Sequence, residues 1–210
     1  GGGFAQTVAQ LIVAQHFAGG VEAFGVTVTE QHDHIVGGDG VDWLVGDAGV
    51  ISGTGQGGND LIEGRLGQDL LYGDSDNGMV EKAHGGNDVL MGGAAADLLV
   101  GDSYFMTDDS RGGNDVLFGG EGNDGLYGDT ETFMNGNAHG GNDYLDGGDG
   151  ADTYRFMRAW GADTVVADNA DQILLGSDLT LNDVAFTQKG SDTVMTINGT
   201  TDSLTLVTPG

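Results

Sequence analysis

The sequence predicts an all-β protein, a parallel β-roll that winds like a right-handed β-helix and carries β-rich caps at both ends. Three features predict this fold: glycine-rich turns at regular intervals, a short apolar run after each turn, and an aspartate between the turn and the run. Glycine supplies 42 of the 210 residues and proline one, so the chain is glycine-rich without being collagen-like or proline-rich.

The repeat is clearest when the aspartates that close the glycine turns are aligned. These closing aspartates are Asp42, Asp60, Asp69, Asp88, Asp97, Asp115, Asp124, Asp143 and Asp152. Their spacing alternates between 9 residues and 18 or 19, so the full period is 27 or 28 residues. A period of this length indicates stacked coils, each of which buries its apolar face on its neighbours.

Each coil consists of a short unit and a long unit. A short unit, such as "GGEGNDGLY" at 119, is a six-residue turn followed by a three-residue strand. A long unit has the same parts, but its turn is interrupted by an insertion of nine or ten residues, at 48–56, 75–84, 103–111 and 130–139. Two strands per coil build two parallel sheets. All short turns then lie along one edge of the roll (the short edge), and all interrupted turns lie along the other (the long edge).

One apolar side chain per unit is expected to point inward and to stack on its equivalents in the neighbouring coils. This predicted core ladder consists of Leu44, Ile62, Leu71, Leu90, Leu99, Leu117, Leu126, Leu145 and Tyr154.

The charge balance restricts the possible partners. The chain has 33 acidic residues against six Lys and Arg, and its net charge is −27. Nucleic acid and anionic membrane would both repel it, so neither is expected to bind, and no apolar run approaches the length of about 20 residues that spans a bilayer. There is no cysteine, which excludes disulfides and thiolate metal sites. No signal peptide is recognisable at the start of the sequence.

The stacked aspartates suggest a cation. Equivalent aspartates one coil apart would lie about 5 Å from each other and repel, unless a hard cation lies between them. Backbone carbonyls of the glycine turns would complete an oxygen cage, which favours Ca²⁺ over softer metals. The alternative is that each aspartate caps its turn without a metal. Nine such turns in phase favour the cation.

This pattern resembles the repeats-in-toxin (RTX), or haemolysin-type, calcium-binding nonapeptide, written G-G-x-G-x-D-x-U-x. The resemblance covers residues 37 to 155 and is strongest in "GGEGNDGLY", "GGDGADTYR" and "GGDGVDWLV". It implies a roll that folds when calcium is supplied. The five short-edge and four long-edge turns of this sequence have four and three neighbouring pairs, which gives about seven Ca²⁺ sites. The resemblance also implies bacterial type I export and folding outside the cell. The implied calcium-site residues are the nine closing aspartates and the turn glycines Gly37, Gly38, Gly40, Gly92, Gly119, Gly120, Gly122, Gly147, Gly148 and Gly150.

The sequence departs from this motif in two ways. Arg65 replaces a second-position glycine and Ala95 a fourth-position one, which puts the short-edge sites that they line in doubt. Each interrupted turn also has an aspartate in the second position, and these second-position aspartates are Asp47, Asp74, Asp102 and Asp129. They either add a calcium ligand, which we favour, or merely open the loop for the insertion.

The flanks divide the chain into three segments: an N-terminal β flank or cap at 1–36, the roll at 37–156 and a C-terminal β-rich cap at 157–210. Predicted strands in the last segment are 164–166, 172–175, 184–186, 193–197 and 203–207. Residues 4–30 resemble the end of such a flanking segment, with 11–13 matching 204–206, which suggests a piece of a tandem array. A helix over 4–17 is the alternative. Trp43, Phe156 and Trp160 are expected to pack at the ends of the roll.

No catalytic motif appears: there is neither H-E-x-x-H nor G-x-S-x-G, so we expect no enzyme activity. The motif His32-Asp33-His34 is interpreted as a polar start of the first turn and only secondarily as a transition-metal site. His84 and His139 are predicted to be surface residues. The favoured function is a calcium-binding block of a large secreted or cell-surface bacterial protein, such as a toxin or adhesin. The alternative is a recognition module whose insertions bind a receptor, a glycan or an adjacent RTX block. It is suggested by the apolar insertion residues Met79, Tyr104, Phe105, Met106, Phe133 and Met134.

Overall fold

A computed structural model describes residues 11–13, 22–25, 32–47, 49–177 and 179–208 of the chain. All regular structure in these residues is β-strand, and no helix among them is long and apolar enough to cross a membrane. The strands are β1 (Leu11–Val13), β2 (Glu22–Gly25), β3 (His34–Val36), β4 (Asp42–Val45), β5 (Leu61–Leu66), β6 (Leu70–Tyr72), β7 (Val89–Ala94), β8 (Leu98–Val100), β9 (Ser103–Met106), β10 (Val116–Glu121), β11 (Gly125–Tyr127), β12 (Thr130–Met134), β13 (Tyr144–Asp149), β14 (Thr153–Phe156), β15 (Ala162–Val166), β16 (Gln172–Leu175), β17 (Val184–Lys189), β18 (Asp192–Ile197) and β19 (Ser203–Val207).

The strands form the two stacked parallel sheets that the repeat predicts. The ten-stranded sheet has the order β1-β3-β5-β7-β10-β13-β15-β19-β18-β17, and the seven-stranded sheet has the order β16-β14-β11-β8-β6-β4-β2. The long units supply the central strands of the first sheet and the short units those of the second. Equivalent residues are paired in register, so that Leu90 of β7 lies between Ile62 of β5 and Leu117 of β10. The predicted parallel β-roll is therefore confirmed.

The core ladder is buried as predicted. All nine of its side chains are fully buried, from Leu44 to Tyr154, and they belong to one hydrophobic cluster. The cluster extends beyond the repeats through Ile35 at one end and Trp160 and Val165 at the other. Tyr154 keeps its polar end satisfied, because its hydroxyl accepts from Gly147 N–H at 2.8 Å and donates to Val166 O at 2.7 Å.

The insertions stack on one another and form a small layer of their own. Strands β9 and β12 pair in a two-stranded parallel sheet, and isolated bridges join Ile51 to Met79 and Met79 to Met106. Ile51, Met79, Ala83, Met106 and Ala138 are buried together, with Met134 packed against them. The sequence left two possibilities for the apolar insertion residues, exposure for contacts or folding over the edge of the roll, and Met79 and Met106 are buried as in the second. Their side chains are apolar and unbranched, and they fill the space between successive insertions.

The C-terminal segment contains all five predicted strands, as β15 to β19. Parallel pairing continues past the repeats, because β15 adds to β13, β16 adds to β14 and β19 adds to β15. Strands β17, β18 and β19 then form an antiparallel meander. Phe156 and Trp160 pack against each other near this end, with ring centroids 5.3 Å apart. Trp43, by contrast, is half-buried on the outer face of β4 beside Val45 and Tyr72, so the prediction that it packs at a roll end is wrong.

At the other end, β1 pairs with β3 and β2 pairs with β4, both in parallel. Residues 11–13 are thus extended, and the helical alternative for 4–17 is wrong there. The remainder of that alternative, and most of the predicted N-terminal flank, lie outside the described residues.

The two departures from the glycine pattern leave residues with side chains in a left-handed backbone conformation. Arg65 has φ of 85° and Ala95 has φ of 88°, at turn positions where Gly120 and Gly122 have φ of 116° and 152°. For an L-residue this conformation costs about 1–2 kcal/mol.

We therefore expect Ala95→Gly to raise the free energy of unfolding by about 0.5–1 kcal/mol, since relief of strain exceeds the entropic cost of a glycine. The measurement is the urea midpoint at fixed calcium. The matched control is Ala94→Gly, because Ala94 lies in β7 without positive φ and its replacement should destabilise. Equal destabilisation by both substitutions would contradict this reading of the turn.

Candidate metal centres

The closing aspartates form two continuous hydrogen-bonded ladders. On the long edge, the backbone N–H of Asp60 donates to Asp88 Oδ1 at 2.7 Å, and Asp88 and Asp115 continue the ladder to Asp143 at 2.8 and 2.9 Å. On the short edge, the four steps from Asp42 to Asp152 are all 2.8 Å. In every closing aspartate except Asp42, the backbone of the preceding coil therefore holds one carboxylate oxygen, which fixes the direction of the other.

That other oxygen is buried and lacks a hydrogen-bond partner in the described part of the chain. This holds for the Oδ2 atoms of Asp60, Asp69, Asp88, Asp97, Asp115, Asp124, Asp143 and Asp152. Leaving a buried carboxylate oxygen unsatisfied is costly, so eight such atoms in phase indicate a missing partner. Asp42 is the exception, since its Oδ2 accepts from Gly38 N–H at 2.7 Å.

The unsatisfied oxygens point into small cradles at the first glycine of each turn. A Cβ added to Gly64 would lie 2.5 Å from Asp69 Oδ2 and 2.6 Å from Gly92 O of the next coil. The same pair of oxygens surrounds Gly37, Gly92 and Gly119 on the short edge, and Gly46, Gly73 and Gly101 on the long edge. In each cradle, a carboxylate oxygen and a carbonyl oxygen thus lie where the Cβ of any other residue would be, so the first position of the turn requires glycine.

The other predicted glycines have a different role. Gly40, Gly120, Gly122, Gly148 and Gly150 have positive φ, and they provide the turn backbone rather than a face of the cradle. The added Cβ of Gly122 would collide with Ala95 O, and that of Gly150 with Gly122 O, so these positions also permit the close stacking of coils. Gly147, the last first-position glycine, adjoins Asp152 Oδ2. Despite their substitutions, the turns that contain Arg65 and Ala95 keep the cradle geometry at Gly64 and Gly92.

Burial raises the pKa of the eight closing aspartates whose Oδ2 lacks a partner. Desolvation is the main cause throughout, and neighbouring carboxylates add to it. The pKa of Asp69 and of Asp124 is raised to about 6, and that of Asp97 to about 7. On the long edge, the pKa of Asp60 is raised to about 7, and those of Asp88, Asp115 and Asp143 are raised well above the ordinary value. The two ion pairs in the described residues, His34–Glu63 and Arg65–Glu63, involve none of these aspartates.

The second-position aspartates are buried beside the long-edge ladder. Each accepts from the second glycine of the following G-G-N-D: Asp47 from Gly58 N–H at 2.6 Å, Asp74 from Gly86 at 2.9 Å, Asp102 from Gly113 at 2.7 Å and Asp129 from Gly141 at 2.8 Å. These bonds close the turn where the chain returns from the insertion.

Three aspartates that the sequence analysis did not include extend the ladders. Asp33 N–H donates to Asp60 Oδ1 at 2.7 Å, Asp143 N–H to Asp163 Oδ1 at 2.9 Å, and Asp152 N–H to Asp171 Oδ1 at 2.9 Å. Asp163 and Asp171 are followed by Thr-Val and Gln-Ile, and Asp33 by His-Ile. The available signal was therefore the pattern Asp-x-apolar without the preceding pair of glycines, of which only Gly161 before Asp163 remains.

Within the described residues, no three His, Asp or Glu side chains converge as a metal site. His34 Nε2 instead contacts Glu63 Oε1 at 2.7 Å, and His32 Nδ1 accepts from Asn59 N–H at 2.7 Å, which supports the polar-turn interpretation of His32-Asp33-His34. His84 and His139 are exposed, as predicted. The available donors are carboxylate and carbonyl oxygens, the ligands that Ca²⁺ prefers. The residues of the cradles therefore fit a hard divalent cation.

The turns match a known repeat family, and the chain is similar to a protein of known structure. The family model of the RTX calcium-binding nonapeptide repeat matches residues 27–50, 53–80, 83–103, 110–131 and 137–155. No curated protein sequence matches the chain significantly. Among solved structures, the chain is similar to the extracellular lipase LipA from Serratia marcescens, at 17% identity and a TM-score of 0.29. The similarity covers 88% of this chain and 39% of that lipase chain.

The raised pKa values predict that acid favours folding of the calcium-free chain. A carboxyl group whose pKa is higher in the folded state binds protons on folding, so stability increases as pH falls from about 7 toward the ordinary value of 3.8. In chelator, we expect the far-UV CD signal of β-structure to increase between pH 7.5 and pH 5.5. In calcium, the same change should raise the calcium midpoint, because protons compete for the carboxylates. Loss of β signal on acidification in chelator would contradict this.

Proposed function

Because the chain belongs to the family of RTX calcium-binding nonapeptide repeats, we propose that it is a calcium-dependent folding block of a secreted or cell-surface protein. The observation that supports this most strongly is the row of buried Oδ2 atoms without partners, each facing a glycine cradle. Bound Ca²⁺ would supply the positive charge that these carboxylates lack.

Different residues of each turn would have different roles in binding calcium. The closing aspartates would provide the charged ligands, and their Oδ1 hydrogen bonds orient them before a cation arrives. First-position glycines leave the space open, and the carbonyls of Gly64, Gly92, Gly119 and Gly147 on the short edge would contribute from the next coil. Each cation would then join two coils, so that binding and stacking are one process.

The energetics suit extracellular calcium. With dissociation constants of about 10⁻⁴ M and calcium of about 1 mM, each site contributes roughly 1.4 kcal/mol. About seven sites, four on the short edge and three on the long edge, would contribute roughly 10 kcal/mol, which is comparable to the stability of a whole domain. At cytosolic calcium this contribution is absent. The chain would remain unfolded until it leaves the cell, as type I export requires.

We assign no catalytic role to this block. Its carboxylates are repeated in every coil and accept from backbone N–H groups, an arrangement that suits metal coordination and not acid–base catalysis.

The test is a calcium titration of the isolated chain followed by far-UV CD, with magnesium as the control ion. We expect a cooperative gain of β-structure with calcium alone, because Mg²⁺ dehydrates reluctantly and demands a stricter octahedral geometry. A chain equally folded in chelator and in calcium would overturn the proposal.

A matched pair of glycine variants localises the effect. In Gly92→Ala the new Cβ would lie 2.5 Å from Asp97 Oδ2 and 2.7 Å from Gly119 O, so the calcium midpoint should increase severalfold. In Gly49→Ala the nearest atom is Asn77 Nδ2 at 3.4 Å, and the midpoint should not change. Equal midpoints for the two variants would show that the cradle does not hold calcium.

A second function is favoured by a groove between the insertions and the seven-stranded sheet. It has a volume of about 320 Å³ and is lined by Trp43, Leu70, Tyr72, Asp76, Asn77, Tyr104 and Glu131. The Tyr72 hydroxyl donates to the Glu131 carboxylate, which joins the sheet to the insertion strand β12. Aromatic faces beside carboxylate and amide groups suit a glycan, whose rings have apolar faces and a rim of hydroxyls.

This recognition function predicts a saccharide response at Trp43. In calcium, a panel of oligosaccharides should change the tryptophan fluorescence of the protein, and Tyr104→Ala should weaken that response by about tenfold. Tyr144→Ala is the control, because Tyr144 is an exposed aromatic residue outside the groove. Absence of a response to every saccharide in the folded protein would count against the glycan.

A further inference from the structure

The long edge contains a second set of cradles that the closing aspartates do not form. The position of a Cβ on Gly57 is close to Asp74 Oδ1 and lies 2.9 Å from Asp47 Oδ2. The equivalent position on Gly85 is close to Asp102 Oδ1 and lies 2.5 Å from Asp74 Oδ2. Each of these glycines is therefore enclosed by carboxylates from two successive coils, and Asp74 belongs to both cradles.

While all three are ionised, these carboxylates repel one another and cannot satisfy one another, and only a proton on Asp74 would let it donate to Asp47 or Asp102. Asp47, Asp74 and Asp102 are at most 1% exposed, and ionised carboxylates are acceptors only. Asp47 Oδ1 and Asp102 Oδ2 are buried and lack a hydrogen-bond partner among the described residues. The oxygens that line the cradles also accept from the turn glycines. Gly58 N–H donates to Asp47 Oδ2, Gly86 N–H to both oxygens of Asp74, and Gly113 N–H to Asp102 Oδ1. Each of these oxygens has a second lone pair, which remains for a cation.

The short edge has no counterpart. Its second positions are occupied by Gly38, Arg65, Gly93, Gly120 and Gly148, and the additional acidic residues of its turns, Asp39, Glu121 and Asp149, are exposed. A second buried carboxylate in the turn is therefore a feature of the long edge. Affinity for calcium increases with the number of charged ligands.

We propose that the second-position aspartates form additional hard-cation sites on the long edge, between Asp47 and Asp74 around Gly57 and between Asp74 and Asp102 around Gly85. The long edge then binds calcium more tightly than the short edge. Since the same aspartates hold the turn through which the chain returns from each insertion, these sites also order the insertions. This inference rests on the proposed calcium function.

The decisive variant is Asp74→Asn, which keeps an oxygen acceptor for Gly86 N–H but removes the charge shared by both cradles. If the aspartate is a ligand, the calcium midpoint should increase by about tenfold, and equilibrium dialysis should count fewer ions per chain at saturation. If no cation binds there, removal of a buried charge relieves repulsion, and folding should need the same calcium or less. The two hypotheses thus predict opposite signs.

Three further variants complete the test. Asp109→Asn removes an exposed insertion charge and should leave the midpoint and the ion count unchanged. Asp74→Ala removes both acceptor and charge. If Asp74→Asn behaves as wild type and only Asp74→Ala is impaired, the aspartate is a turn cap and the inference is overturned.

Should Asp74→Asn fail to fold at any calcium concentration, Asp102→Asn, which leaves the Gly57 cradle intact, must show the increased midpoint. An unchanged midpoint would again overturn the inference. If wild type binds no calcium, the proposed function itself fails.

Discussion

The structure depends on stacked, buried carboxylates, and the chain contains too few basic residues to neutralise them. The repeat places an aspartate at the same point of every turn, and coil stacking removes each of them from water. The described ion pairs involve other residues, and only six Lys and Arg are present against 33 acidic residues. Hydrophobic stacking of the core ladder and electrostatic repulsion along both edges therefore oppose each other. In the proposed function, bound calcium neutralises the carboxylates and so favours stacking.

The two edges of the roll divide the functions of the molecule. The short edge is a regular series of turns, in which even Arg65 and Ala95 adopt the conformation that glycine would supply. The long edge combines the interrupted turns, a second row of aspartates and the insertions. Because each insertion begins after one aspartate of the turn and returns just before the closing one, the order of the insertion layer is coupled to the charge state beneath it. The groove beside Trp43 is built partly from that layer, so in the proposed functions calcium binding would also affect the shape of the groove.

Much of the fold could be predicted because its period is explicit in the sequence. The closing aspartates located every coil, and the core ladder followed from one apolar residue per unit. The fate of the insertions could not be predicted, since whether Met79 and Met106 face solvent depends on stacking between insertions that share no motif. The position of Trp43 was predicted wrongly because its side chain lies on the outer face of β4. There it packs against Val45 and Tyr72 and lines the groove beside the insertions. Asp33 and Asp171 were missed because no glycine lies close before them, and Asp163 because a single glycine, Gly161, stands where the other turns have a pair.

The most direct test of the account is a crystal structure of the chain grown in calcium, with anomalous diffraction used to locate the ions. The account predicts anomalous peaks between each Oδ2 of a closing aspartate and the glycine carbonyl of the next coil, on both edges of the roll. Cradles that contain only water, with the Oδ2 atoms hydrogen-bonded to protein groups instead, would contradict it.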